Sequence, residues 1–183
     1  MDAWVWGVLI VGALGVAIVI WLLVRQARSR QLQRDFGSEY DRTMARSDDR
    51  SLAESDLRER RDRVEALHLR PLSRSDHDRF SSEWTKVQAE FVDAPSEAVS
   101  DADGLIQQVM TTRGYPMADF DQRAADISVD HPDVVENYRS AHSIAVKERD
   151  GDADTESLRK AMMYYRSLFD ELLVVDDGED RRN

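Results

Sequence analysis

The chain has 183 residues, no cysteine and a formal net charge of −11. Without cysteine, the disulfide framework of a small exported domain is excluded. The negative charge argues against nucleic acid as a partner, because phosphates would be repelled. The charge is also uneven, since residues 25–74 carry 13 basic and 10 acidic side chains, whereas residues 75–183 carry 12 basic and 25 acidic ones.

The first predicted element is a transmembrane helix at residues 4–24, which form a run of 21 residues without one charge. A bilayer core requires about 20 such residues in a helix, and tryptophans near both ends of the run suit the membrane interface. A cleaved signal peptide is the competing interpretation, but it needs a basic start and a cleavage site of small residues. We therefore expect an uncleaved anchor over residues 1–24.

The residues that follow the anchor predict its orientation. Arg25, Arg28, Arg30 and Arg34 come directly after it, and basic residues beside a span stay on the cytoplasmic side. We expect a single-pass protein of the inner (plasma) membrane, with its N-terminus outside and its C-terminal domain in the cytoplasm. The same arginines are expected to attract anionic lipid head groups. Residues 25–50 are predicted to be a basic juxtamembrane helix or linker.

An all-α bundle of about five helices is predicted for residues 51–175, because apolar residues recur there at helical spacing. A capping pattern from Ser75 to Asp78 opens one helix, in which Trp84 and Phe91 are expected to be buried. Another helix ends at Gly114, which suits the left-handed position after a helix. The last helix is expected to begin at Asp154 or Thr155 and to bury Leu158, Met162, Tyr165, Phe169 and Leu172. Residues 176–183 are predicted to be a disordered acidic tail.

The stretch DISVDHPDVVENYRSAHSIAVK, residues 126–147, holds two histidines and several carboxylates. Asp130 suits a helix N-cap, and Pro132 falls in the first turn, where its missing N–H costs nothing. Tyr138 and His142 then share an apolar face. We interpret the stretch as the start of an amphipathic helix with a buried, hydrogen-bonded His142.

Three patterns imitate chemical sites, and none of them is complete. Glu65 to His68 form one E-x-x-H unit, but a di-iron bundle requires two such units. The run from Asp150 lacks the glycine and the closing glutamate of a calcium loop. His142 lacks the neighbouring lysine and glycine of a phosphotransfer helix. We therefore predict no catalytic residue, no cofactor-binding residue and no metal ligand.

One polar run, DFDQRAADISVDHP, is longer than a plain connector requires. Arg123, Asp126 and His131 lie in it, and Tyr138 follows it. These four residues are the candidate polar pocket of an alternative function, an enzyme or a ligand-sensing domain.

Three segments carry a resemblance to a known family: RFSSEWTKVQAEFVDAPSEAV, RGYPMADFDQRAADISVDHPDVVENYRSAH and DTESLRKAMMYYRSLFDELL. The chain resembles, from about Phe36 to Leu173, an uncharacterised family of bacterial single-pass membrane proteins that are often labelled hypothetical or secreted. The resemblance implies a bacterial source and one undivided domain, and it carries no assigned activity. The label "secreted" conflicts with the cytoplasmic C-terminal domain that the arginines after the span predict, and we keep the cytoplasmic prediction.

The favoured function is a membrane-anchored helical interaction or scaffold module without catalytic activity. Its partner is expected to be an unknown protein or a second copy of the chain. Ala3 and Gly7, like Ala13 and Ala17, are four residues apart, a spacing at which small residues let two spans approach closely. Pairing through the span is therefore left open beside pairing through the bundle.

Overall fold

The computed structural model describes residues 3–175, and the side chains of 3, 5–13 and 28 lie outside the description. The predicted disordered tail at 176–183 lies outside it too. The described residues confirm the all-α class. They form seven helices: α1 (Ala3–Arg46), α2 (Arg50–Ala66), α3 (Arg74–Glu90), α4 (Pro95–Arg113), α5 (Phe120–Asp130), α6 (Val135–Arg149) and α7 (Thr155–Leu172).

The chain divides into two compact units, unit 1 (Met1–Arg58) and unit 2 (Glu59–Asn183), and the boundary falls inside α2. Residues 25–50, predicted as a helix or linker, are helical as far as Arg46. The predicted bundle boundaries at 51 and 175 stay predictions.

A sharp bend divides α1 at Gly37, whose φ of 47° and ψ of −122° are not helical. Ser29 Oγ lies 3.3 Å from the Tyr40 hydroxyl, yet a straight helix would separate two residues 11 positions apart by about 16 Å along its axis. The bend at Gly37 therefore brings these side chains together. A residue without Cβ adopts such a conformation at little steric cost.

Among the residues that the structure describes, no helix is both long enough and apolar enough to cross a membrane. The predicted span at 4–24 falls partly on residues 5–13, whose side chains are outside the description. It therefore stays a prediction. In the described part of this segment, every side chain from Leu14 to Val24 is exposed.

The core of unit 2 is built around α7, which packs against α4 and α6, while α3 packs against α4. The expected face of α7 is confirmed, since all five predicted residues are buried. Trp84 is only 3% exposed and stacks on Phe169 with ring centroids 4.5 Å apart. Phe91 is partly buried against the same core, so the predicted burial is confirmed for Trp84 and only in part for Phe91.

Two helix ends follow the sequence expectations. Gly114 has a φ of 103° after α4, and the Tyr115 N–H donates to Met110 O at 3.0 Å, which is the pattern of a glycine stop. Asp154 caps α7 by accepting a hydrogen bond from the Ser157 N–H at 2.7 Å.

Two helix starts were predicted wrongly. Ser73, not Ser75, caps α3, because its hydroxyl accepts the Asp76 N–H at 3.1 Å. Asp130 ends α5 instead of capping the next helix, since the His131 N–H continues the helical ladder to Ile127 O at 2.8 Å. Pro132 has no N–H to extend that ladder, so a turn follows and α6 begins only at Val135.

Candidate functional site

The four residues of the predicted polar pocket lie on α5, at its end and on α6. Arg123 Nε donates to the Tyr138 hydroxyl at 3.2 Å, and Arg123 Nη1 donates to Ala118 O at 2.7 Å. Tyr138 is completely buried. Burial, reinforced by the Asp103 carboxylate and opposed by Arg123, raises the pKa of Tyr138 to about 12. The phenol therefore stays protonated at neutral pH and cannot serve there as a base.

Asp126 is directed to a different set of partners. Its carboxylate is 1% exposed, and Oδ1 accepts hydrogen bonds from Arg63 Nε at 2.9 Å and from Gln122 Nε2 at 2.7 Å. Oδ2 is buried and makes no hydrogen bond with any described residue. Arg63 supplies the compensating charge that a buried carboxylate requires, so this pair ties the end of α2 to α5 within unit 2.

His131 lies at the end of α5, with its side chain 12% exposed and Nδ1 3.6 Å from Glu171 Oε2. Burial, followed by the nearby cation of Arg113, lowers the pKa of His131 below its ordinary value. The contacts of the described residues thus join Arg123 to Tyr138, whereas Asp126 and His131 each contact other groups. These four residues do not form one shared polar cluster.

His142 also differs from its predicted setting. The ring is partly buried and stacks on Phe120, with centroids 3.6 Å apart and an interplanar angle of 7°. Its Nδ1 has no hydrogen-bond partner among the described residues, so the expectation of a hydrogen-bonded histidine is not met. Burial is the largest cause that lowers the pKa of His142 below its ordinary value.

A cavity of about 280 Å³ lies between α4 and α6 in unit 2. Its floor contains Asp103, which is 6% exposed and accepts a hydrogen bond from Gln107 Nε2 at 2.7 Å. Burial is the largest cause that raises the pKa of Tyr165, and the Asp103 carboxylate raises that pKa further. Asp103 was not predicted as a site residue, because an acidic residue next to Ala102, one of the apolar residues of α4, is expected to face solvent.

A second polar site lies in unit 1 and centres on Glu54, which is 5% exposed. Glu54 Oε1 accepts hydrogen bonds from Ser29 at 2.7 Å, Arg50 Nε at 2.9 Å and Tyr40 at 3.2 Å. Arg58 lies 3.4 Å from Oε2. Burial alone would raise the pKa of Glu54, but these hydrogen bonds outweigh it and hold that pKa below its ordinary value. We call Ser29, Tyr40, Arg50 and Glu54 the Glu54 network.

A cavity of about 370 Å³ adjoins the Glu54 network and is lined by Leu22, Arg25, Gln26, Ser29, Arg50 and Glu54. Sequence reasoning missed this site because Ser29 and Glu54 are 25 residues apart and meet only after the bend in α1. The signal that could have found it is the lone glycine at position 37 between two helical patterns.

No group of three or more potential metal-ligating side chains is assembled among the described residues. Comparison with family models gives no match, and no curated protein or solved structure is significantly similar to the chain.

Proposed function

We propose that the chain is a membrane-anchored helical interaction or scaffold module. The observation that supports this is the surface of α1, where every residue from Leu14 to Val24 is uncharged and exposed. A helix that is apolar on all sides is stable when lipid or other protein surrounds it, and water is its least favourable environment. In the proposal, residues 4–24 are the anchor in the inner membrane and the N-terminus lies outside.

Unit 2 supplies the interaction half of the proposed function. Its helices enclose their own apolar core, and residues 75–183 carry the excess of acidic side chains. Such a body, held on the cytoplasmic face, suits contact with another protein or with a second copy of the chain. An acidic surface is unsuited to nucleic acid.

Fractionation of cells that express the full chain tests the anchor. We expect the wild-type chain in the membrane pellet after carbonate extraction. Leu14→Arg with Val16→Arg should shift it to the supernatant, because each arginine at the centre of a span costs about 2.5–3.5 kcal/mol. Leu52→Arg is the matched control, since Leu52 is 66% exposed on α2 and lies outside the anchor. A wild-type chain in the supernatant would refute the proposal.

The alternative function is an enzyme or ligand-sensing domain that uses Arg123, Asp126, His131 and Tyr138. One observation favours it, namely the buried Asp126 Oδ2 that lacks a partner among the described residues. A thermal-shift screen of small molecules on the full chain tests this alternative, with Asp126→Asn as the matched variant because the unpartnered oxygen belongs to Asp126. A compound that stabilises the wild type but not Asp126→Asn would favour ligand sensing over the interaction module.

A further inference from the structure

The cavity of unit 1 begins where the exposed apolar segment of α1 ends. Its lining grades from apolar to polar along that helix, from Leu22 to Arg25 and Gln26 and then to Ser29. Arg50 of α2 completes the polar side. This order resembles the change from acyl chain to head group across a membrane surface.

Two guanidinium groups in the cavity keep hydrogen-bond donors available. Arg25 Cζ lies over the Trp21 ring, 5.4 Å from its centroid, and such a contact with the ring face uses none of the guanidinium N–H donors. Arg50 donates through Nε to Glu54 and through Nη2 to Ser29 and Tyr40. Arg50 Nη1 makes no such bond with any described residue. Among the described residues that line the cavity, Arg25 and Arg50 are cationic and Glu54 is the one carboxylate, so this described lining carries one excess positive charge.

We propose that this cavity binds the phosphate of one anionic phospholipid, whose acyl chains lie against Leu22 and the apolar segment before it. Arg25 and Arg50 donate to the phosphate oxygens, since charged donors bind phosphate more strongly than neutral ones do. Free phosphate offers the same oxygens but gives the Leu22 wall no apolar partner, so the lipid is the source that fits the whole cavity. This inference rests on the proposed membrane anchor.

The test titrates the full chain in mild detergent with dihexanoyl-phosphatidylglycerol, which dissolves as a monomer, and follows bound lipid by native mass spectrometry. We expect one saturable site. Arg25→Gln should weaken binding at least about tenfold, the loss expected for a hydrogen bond to a charged group. Arg25 makes no hydrogen bond to the Glu54 network, so this variant leaves the network intact.

Arg34→Gln is the matched control, because it removes the same charge from an exposed residue that does not line the cavity. General attraction to an anionic surface predicts a loss of about fivefold per arginine. Equal losses in Arg25→Gln and Arg34→Gln would overturn the site in favour of diffuse attraction.

Two further ligands distinguish the sources of the anion. Inorganic phosphate that binds as tightly as the lipid would assign the cavity to a soluble phosphate and overturn the lipid. Equal binding of dihexanoyl-phosphatidylcholine would show that the negative charge is not recognised. A chain that binds the lipid but stays in the supernatant after carbonate extraction would refute the anchor alone, and the reverse result would refute the cavity alone.

Discussion

Replacing Trp84 by alanine should destabilise unit 2 more than any other single truncation in α3. The side chain is 3% exposed and stacked on Phe169. Removing a buried tryptophan costs about 3–5 kcal/mol, and the stacked pair accounts for about 0.5–1.5 kcal/mol of aromatic interaction. Trp84 Nε1 is buried without a partner among the described residues. An unpaired buried donor is destabilising, so its removal offsets about 1 kcal/mol of the loss. The net expectation is a loss of about 3 kcal/mol.

Trp84→Phe separates these contributions, because it keeps a ring against Phe169 and removes the unpartnered N–H. We expect it to lose about 1 kcal/mol through the smaller ring volume. Both variants are compared with Val92→Ala, whose parent side chain is 82% exposed and whose effect should be within about 0.5 kcal/mol. Urea unfolding of the full chain, followed by circular dichroism, gives the free energies. A Trp84→Ala variant as stable as Trp84→Phe would contradict the packing argument.

Three further predictions concern charge and backbone. Arg63→Met should cost about 1–3 kcal/mol by leaving the buried Asp126 carboxylate without its charged donor, and adding Asp126→Asn should restore part of the unfolding temperature. Because the pKa of His131 is lowered in the folded chain, the unfolded chain binds a proton at a higher pH than the folded chain does. Unit 2 should therefore lose stability as the pH falls through about 6.5. A His131→Gln variant with an unchanged dependence of stability on pH would contradict this. Gly37→Ala should lengthen the distance between spin labels at the exposed positions 30 and 41 and destabilise the bend by about 1–2 kcal/mol. Gly15→Ala, in regular helix with nothing within 4 Å, should leave that distance unchanged.

Local signals in the sequence were sufficient for the helices and for much of the core. The buried face of α7 follows from apolar residues at steps of three and four, because that spacing matches the helical repeat. Gly114 and Asp154 were also identified correctly, since a glycine stop and an aspartate cap act through backbone groups only a few residues away.

Local signals failed where two neighbouring patterns competed for one boundary. Ser73 and Ser75 are both suitable caps, and the hydrogen bond to Asp76 N–H decides between them. Asp130 and Pro132 form a good helix start, yet the same aspartate completes the ladder of α5. The proline then acts as a stop instead of a first turn, because it removes the donor that α5 would need next.

The sequence by itself determined the all-α class, the apolar segment at residues 4–24 and the charge difference between the two parts of the chain. All three depend on composition and on periods of a few residues. Only the tertiary structure decided which polar groups meet. Ser29 reaches Glu54 because α1 bends at Gly37, and Arg63 reaches Asp126 across 63 positions. A buried carboxylate must find a donor wherever the fold brings one, and no local pattern in the sequence records that partner.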